Sequence, residues 1–380
     1  MSRRHRGPTL ESVAAAAGVS RQTVSNVLNA PERVAPATRE RVEAAIRALN
    51  YRPNRLARSL RTRASRLLGY CYQPVIDGAL NPVLDRFLHA VTDAAAAHGF
   101  HILLFTAPPG AAGLDRYAEL LGQQAVDGFI LSDTEVGDPR HAWLSERNVP
   151  FVSFGRTWTG EERGPWVDVD GAAGTAQAVR HLYDLGHRRI AFLGWPEGSG
   201  AGDDRLAGYR SACESLGVPP LVVRAEQGTE PGRAGADRLL GSPDPPTAVV
   251  CVSDLCAYGV LRALAERGLR PGHDVAVVGF DDTPAAALPG IELTSVAQPV
   301  EQVGHAVVRL LLAQLGVLDP PDLTDHLLLR PTLTVRASTV PAGGSQPPEP
   351  PEPRRRDDAK DNDLVGGAAG HRPGRRRLWR

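Results

Sequence analysis

From Leu67 onward the chain repeats one pattern: a short apolar run, a stretch with helical spacing, then another apolar run. The runs are Leu67–Tyr72, His101–Phe105, Asp127–Leu131, Phe151–Phe154, Arg189–Leu193, Leu221–Val223, Thr247–Val252 and Asp274–Gly279. Continuous apolar runs separated by helices indicate parallel strands buried on both faces. The fold class that follows is α/β, and the length of this segment predicts two lobes, each a doubly wound parallel sheet. Such sheets take ligands outside the carboxyl ends of their strands, here in the cleft between the lobes.

The formal net charge of the 380 residues is zero, yet the charges are segregated. Residues 1–66 carry 14 arginines against 4 glutamates, residues 67–340 carry 20 arginines against 33 acids, and residues 341–380 carry 9 basic against 6 acidic side chains. A basic head on an acidic body sends only the head to a polyanion, because the body's own field repels one. The Met-Ser-Arg-Arg start has no apolar stretch behind it, and no window approaches the length of a membrane span. That predicts a cytoplasmic protein with no membrane partner. Cys71, Cys213, Cys251 and Cys256 form no CxxC pair and read as buried free thiols.

In the head, Thr9 precedes Leu10, Val13, Ala14 and Ala17, the spacing of one buried helical face. Gly18-Val19-Ser20 ends that helix and offers Ser20 as cap of the next, Arg21 to Asn29, which turns Val24, Val27 and Leu28 inward. The opposite stripe presents Arg21, Gln22, Ser25 and Asn26. Arginine can donate two bonds to guanine, and Gln or Asn can pair with adenine, so this helix suits a major groove. A third helix, about Ala37 to Leu49 with Pro36 in its first turn, faces Val42, Ile46 and Leu49 to the core. An arginine-rich bundle with a solvated face is the competing reading. Asn54 to Leu60 is a helical candidate of about two turns, too short to persist in water without a partner. Residues 341–380, with Pro347-Pro348-Glu349-Pro350-Pro351-Glu352-Pro353 and two arginine clusters, read as a disordered tail.

Thr9 to Ala14, Ala17 to Asn29 and Tyr51 to Leu60 closely resemble the lactose-repressor (LacI/GalR) family. The resemblance continues through Phe154-Gly155-Arg156, Val169-Asp170, Leu185 to Ala191, Arg205 to Tyr209, Ser253-Asp254, Val278 to Asp282 and Leu293 to Pro299. It implies a transcriptional regulator, a repressor, that binds near-palindromic double-stranded operator DNA as a homodimer under control of a small-molecule effector. The domains would be a helix-turn-helix at 1–53, a hinge helix at 54–64, a two-lobed periplasmic-binding-protein-like core at 65–340 and the tail. The lobes would span about 65–166 plus 298–330 and about 167–297 plus 331–340, with crossovers near Val167, Gln298 and Arg330.

Residue by residue, the resemblance implies base reading by Arg21, Gln22 and Asn26, approach to backbone or base edges by Thr23 and Ser25, and a phosphate contact by Asn29. Thr9, Ser20, Arg33, Tyr51, Asn54, Arg55 and Ala57 join the DNA-facing set, and Leu60 matches a leucine that wedges the minor groove. An ordinary linker leucine packed on the core is the alternative. Ala35 stands where the family usually carries a capping Ser, a loss of about 1 kcal/mol.

In the core, Arg205 and Asp281 lead the effector candidates, with Arg156, Asp170, Asp254 and Gln298 in support. A planar guanidinium and an opposed carboxylate can bind neighbouring hydroxyls of a sugar, sugar phosphate or nucleoside. The same charges can serve as salt bridges or helix caps. Trp195 is a lesser candidate for an aromatic wall, and Gly198 to Gly202 reads as a flexible loop at the cleft. No Walker lysine, HExxH helix, GxSxG elbow or metal-ligand spacing occurs, so no enzyme, cofactor or metal is expected.

Overall fold

The computed structural model describes residues 8–51, 64–72, 81–161, 163–319 and 324–339. Asn54, Arg55, Ala57 and Leu60, with the rest of the hinge up to residue 63, lie outside the described residues, as does the tail.

Helix α1 (Leu10–Ala17) starts at Thr9, whose hydroxyl accepts the Ser12 N–H while the Ser12 hydroxyl receives the Thr9 N–H. Two orphan amides are satisfied reciprocally. The helix stops at Gly18, whose φ of 64° is the left-handed conformation that a residue without Cβ adopts freely. Helix α2 (Arg21–Asn29) starts at Ser20, which accepts the Thr23 N–H at 3.0 Å. Helix α3 (Pro36–Ala48) completes a small core in which Val13, Val24 and Val42 are fully buried beside Ala14, Ala17, Val27, Ala45 and Tyr51. Ala35, at the start of α3, makes no side-chain cap. Ala35→Ser is therefore expected to stabilise α3 by about 1 kcal/mol, slowing amide exchange in α3 of the full chain about fivefold. Unchanged exchange would show that a side-chain cap adds nothing there.

The first lobe holds β1 (Leu67–Cys71), α4 (Pro82–Ala97), β2 (His101–Phe105), α5 (Leu114–Gly122), β3 (Gly128–Leu131), α6 (Pro139–Glu146), β4 (Phe151–Phe154) and β5 (Trp166–Val169). With β11 (His326–Leu329) these strands form one all-parallel sheet, ordered β11-β5-β4-β3-β1-β2. The second lobe holds α7 (Gly171–Asp184), β6 (Ile190–Gly194), α8 (Ala201–Leu216), β7 (Leu221–Arg224), α9 (Thr229–Leu240), β8 (Ala248–Cys251), α10 (Asp254–Glu266), β9 (Ala276–Asp281) and β10 (Thr294–Ala297). Its sheet runs β12-β10-β9-β8-β6-β7, with β12 being Thr332–Thr334. Helix α11 (Val300–Gln314) returns to pack on α4 and β4 of the first lobe. All four cysteines are buried and unbridged.

The chain changes sheet three times: between β5 and β6, between β10 and α11, and between β11 and β12. Strands β5, β10, β11 and β12 go beyond the eight apolar runs of the sequence. β5 is interrupted by Asp168, β10 opens on Thr294-Ser295, and β12 is a three-residue edge. β12 also corrects the expectation of purely parallel sheets, because it pairs antiparallel with β10. Its neighbours run toward the cleft, whereas β12 enters the second lobe from the cleft and must run away from it. The crossings bring the carboxyl ends of both sheets to one cleft.

Candidate functional site

On the head, α2 presents Arg21 and Gln22 exposed in its first turn. Arg21 pairs loosely with Glu11, at 3.4 Å across a solvated gap. The Gln22 amide donates to the Asn26 side-chain oxygen at 3.0 Å, which ties two planar amides one turn apart on one face. The Ser20 and Thr23 hydroxyls are 2.9 Å apart at the helix start, and Thr9 does the same capping work for α1. These hydroxyls therefore organise helix N-termini, whose free N–H groups are themselves natural phosphate sites. Ser25 is half-buried, Asn29 closes α2, and Arg33 is highly exposed beside Glu32. Tyr51 departs from its expected place among the DNA-facing residues: its ring is buried in the head's core.

In the cleft, Arg205 projects from α8 and is almost fully buried. Its guanidinium lies 3.7 Å from the centre of the Phe280 ring and 5.5 Å from that of Trp195, donates from Nη1 to the Val252 carbonyl at 2.6 Å, and sits 3.7 Å from Asp281. Burial lowers its pKa, and the carboxylates of Asp281, Asp168, Asp204 and Asp254 oppose that shift. Asp281 ends β9 with a φ of 115°, and Asp282 follows at 47°. Two successive positive values outside glycine are a costly backbone, of the kind concentrated at ligand clamps. Gln298, from the crossover after β10, donates to Asp281 Oδ1 at 2.7 Å. Burial pushes the Asp281 carboxyl up to about 7, against the pull of Arg205.

Two of the expected effector residues are committed elsewhere. Asp254 has no exposed surface, and its oxygens accept from Ser295 Oγ at 2.6 Å, Thr283 N at 2.7 Å and Thr283 Oγ1 at 2.9 Å. It holds the strained β9 exit in place from below, and burial raises its pKa to about 6. Asp170 caps α7 through the Ala173 N–H, at 2.8 Å. The acids that do meet Arg156 are Asp168 and Asp204, which the sequence reading passed over. Arg156 Nε donates to Asp168 Oδ2 at 2.7 Å, and Nη2 lies 3.1 Å from Asp204 Oδ2 on the other lobe. Burial raises the Asp168 carboxyl and Arg156 opposes it. Their signals were an acid inside the apolar run Trp166-Val167-Asp168-Val169 and a second acid beside Arg205 in the first turn of a helix.

The glycine run is a built turn rather than the expected flexible loop. The Gly198 N–H is held by Asp203 at 2.7 Å, and Gly200 carries the Trp158 ring so closely that a Cβ would approach it to 2.7 Å. Trp158 itself has a φ of 60° and stacks 4.2 Å from the Arg156 guanidinium. Tryptophan in that conformation is a genuine outlier, held by contacts from both lobes. No group of residues able to hold a metal occurs among the described residues, and no described helix is long and apolar enough to cross a membrane.

Residues 9–54 match the family model for bacterial regulatory proteins of the lacI family, and residues 179–339 match the periplasmic binding protein-like domain. The HTH-type transcriptional regulator CelR of Thermobifida fusca is 38% identical, over 86% of this chain and 98% of its own length. The chain belongs to the lacI family. Among solved structures of this family, the lac repressor dimer bound to operator and the anti-inducer ONPF superposes with a TM-score of 0.75 at 30% identity, covering 88% of this chain and all of that one. A complex of the transcriptional regulator CelR with cellobiose gives a TM-score of 0.64 at 36% identity, covering 87% of this chain and 99% of that one. The lacI-family relatives are transcriptional regulators rather than enzymes, and this chain is a transcriptional regulator of the same family.

Proposed function

We propose that the protein is a repressor that grips a near-palindromic operator as a homodimer and releases or tightens that grip when a polyhydroxylated small molecule enters the cleft. The observation that carries this reading is the Arg205–Asp281–Gln298 constellation, a buried donor and acceptor set at strand ends, on the same chain as a capped helix presenting Arg21, Gln22 and Asn26. The lac repressor solved as a dimer on its operator supports the DNA half, and CelR solved with cellobiose supports the sugar half. Base reading belongs to Arg21, Gln22 and Asn26, with Ser20, Thr23 and Ser25 beside them. Arg205, Asp281, Gln298 and Arg156 contact the effector, and Asp254 and Asp170 set the geometry from behind.

Selection of bound duplexes from a random pool tests this directly: a near-palindrome should be enriched, and a sugar should shift its occupancy. Enrichment of no sequence would end the proposal. The family resemblance assigns Leu60 to the minor groove, where an apolar wedge costs unstacking and gains a bent duplex. Leu60→Ser is expected to weaken binding to the selected site by far more than binding to random DNA. Equal losses in a salt-matched titration would remove the wedge.

A further inference from the structure

We propose that Asp168 and Asp204 form an anion filter in the cleft, so that the effector is an uncharged polyol and phosphorylated sugars and nucleotides are refused. This inference rests on the cleft being the effector site. Two guanidinium groups, Arg156 and Arg205, face four carboxylates, Asp168, Asp204, Asp254 and Asp281. Phosphate recognition calls for cationic forks left open to the ligand. Here Arg156 is engaged by Asp168 at 2.7 Å and Asp204 at 3.1 Å, and Arg205 by Asp281 and the Val252 carbonyl.

Three further arginines are engaged likewise. Arg86 is forked onto Glu301, Arg336 pairs with Asp282, and Arg224 is shared by Glu197 and Asp203. Protonation of Asp281 would still leave Asp168 and Asp204 as two carboxylates on the single Arg156 cation. A phosphate dianion placed in that wall meets repulsion from carboxylates a few ångströms away, in partly buried surroundings that screen it less than water does.

What the wall does offer suits hydroxyl groups. Carboxylate oxygens accept, and each hydroxyl both donates and accepts. Arg156 Nη2 faces Asp204 Oδ2 at 3.1 Å, so the wall alternates a donor with acceptors. A ligand hydroxyl can share that nitrogen while donating to a neighbouring carboxylate oxygen, which a phosphate oxygen without a proton cannot do. Vicinal hydroxyls match that alternation.

The test is isothermal titration of the full-length protein against glucose, maltose and cellobiose and against the phosphate ester of whichever binds. The neutral sugar should bind at least tenfold more tightly than its ester. In Asp168→Asn/Asp204→Asn that gap should shrink at least tenfold, whereas Asp204→Glu, which keeps the charge, should preserve it. An ester that binds the wild type as well as the neutral sugar overturns the filter. So does a gap that survives in a folded Asn/Asn variant, which would leave the acids as an inter-lobe ion pair only. A protein that binds neither class fails the effector reading itself, and the filter falls with it.

Discussion

Arg205→Ala is expected to remove effector binding by a hundredfold or more and to lower the melting temperature of the core. The guanidinium is 9% exposed and its partner Asp281 is 13% exposed, so truncation leaves a buried carboxylate without its cation. Removing one member of a buried pair costs about 3–5 kcal/mol, more than its replacement by an apolar pair would. Part of that cost is avoided by protonation. Asp281 already titrates near 7 because of burial, and losing Arg205, which lowers it, raises it further. A carboxyl raised above its ordinary value of 3.8 contributes stability that is full below that value and is lost as pH rises through the folded pKa. The wild type should therefore have lost this contribution a little above pH 7, whereas the variant should go on losing stability at higher pH. Melting curves across that range, with and without the bound sugar, check both claims. A variant that kept its full ligand-induced shift would remove Arg205 from the site. Arg205→Lys should rescue melting better than affinity, because an ammonium supplies charge without the planar fork.

Arg21→Ala should reduce affinity for the selected operator by about tenfold to a hundredfold, the range for one bidentate base contact, while binding to random DNA falls only slightly. Arg21 can reach a base because its partner Glu11 is 3.4 Å away and exposed. Gln22→Ala should behave similarly and also release Asn26, since the two side chains are hydrogen-bonded. The two losses are therefore not expected to add. Anisotropy titrations on operator and scrambled duplex at matched salt decide between roles: a uniform loss on both would make Arg21 a phosphate contact.

The head was legible almost to the residue, since a cap, a helical face and a left-handed glycine all lie within a few positions of one another. The cleft was legible only in part. Arg205, Asp281 and Gln298 do converge, whereas Asp254 is buried against Ser295 and Thr283 and Asp170 caps α7. A carboxylate's partners decide its role, and Ser295 and Thr283 stand far from Asp254 in sequence. Asp168 and Asp204 escaped notice for the same reason. An acid in an apolar strand signals a buried partner, but not which one.

By itself the sequence determined the three helices of the head, two of them capped by Thr9 and Ser20, the α/β class and two lobes with strand ends turned toward a cleft. Those follow from periodicity and turn chemistry acting over short stretches of chain. Only the tertiary structure decided that β12 runs antiparallel, that the glycine turn seats Trp158, and that Arg156 joins Asp168 to Asp204 across the lobes. Each depends on where the chain stands after crossing between sheets, and such long-range closure brings together side chains whose charge and burial no local pattern specifies.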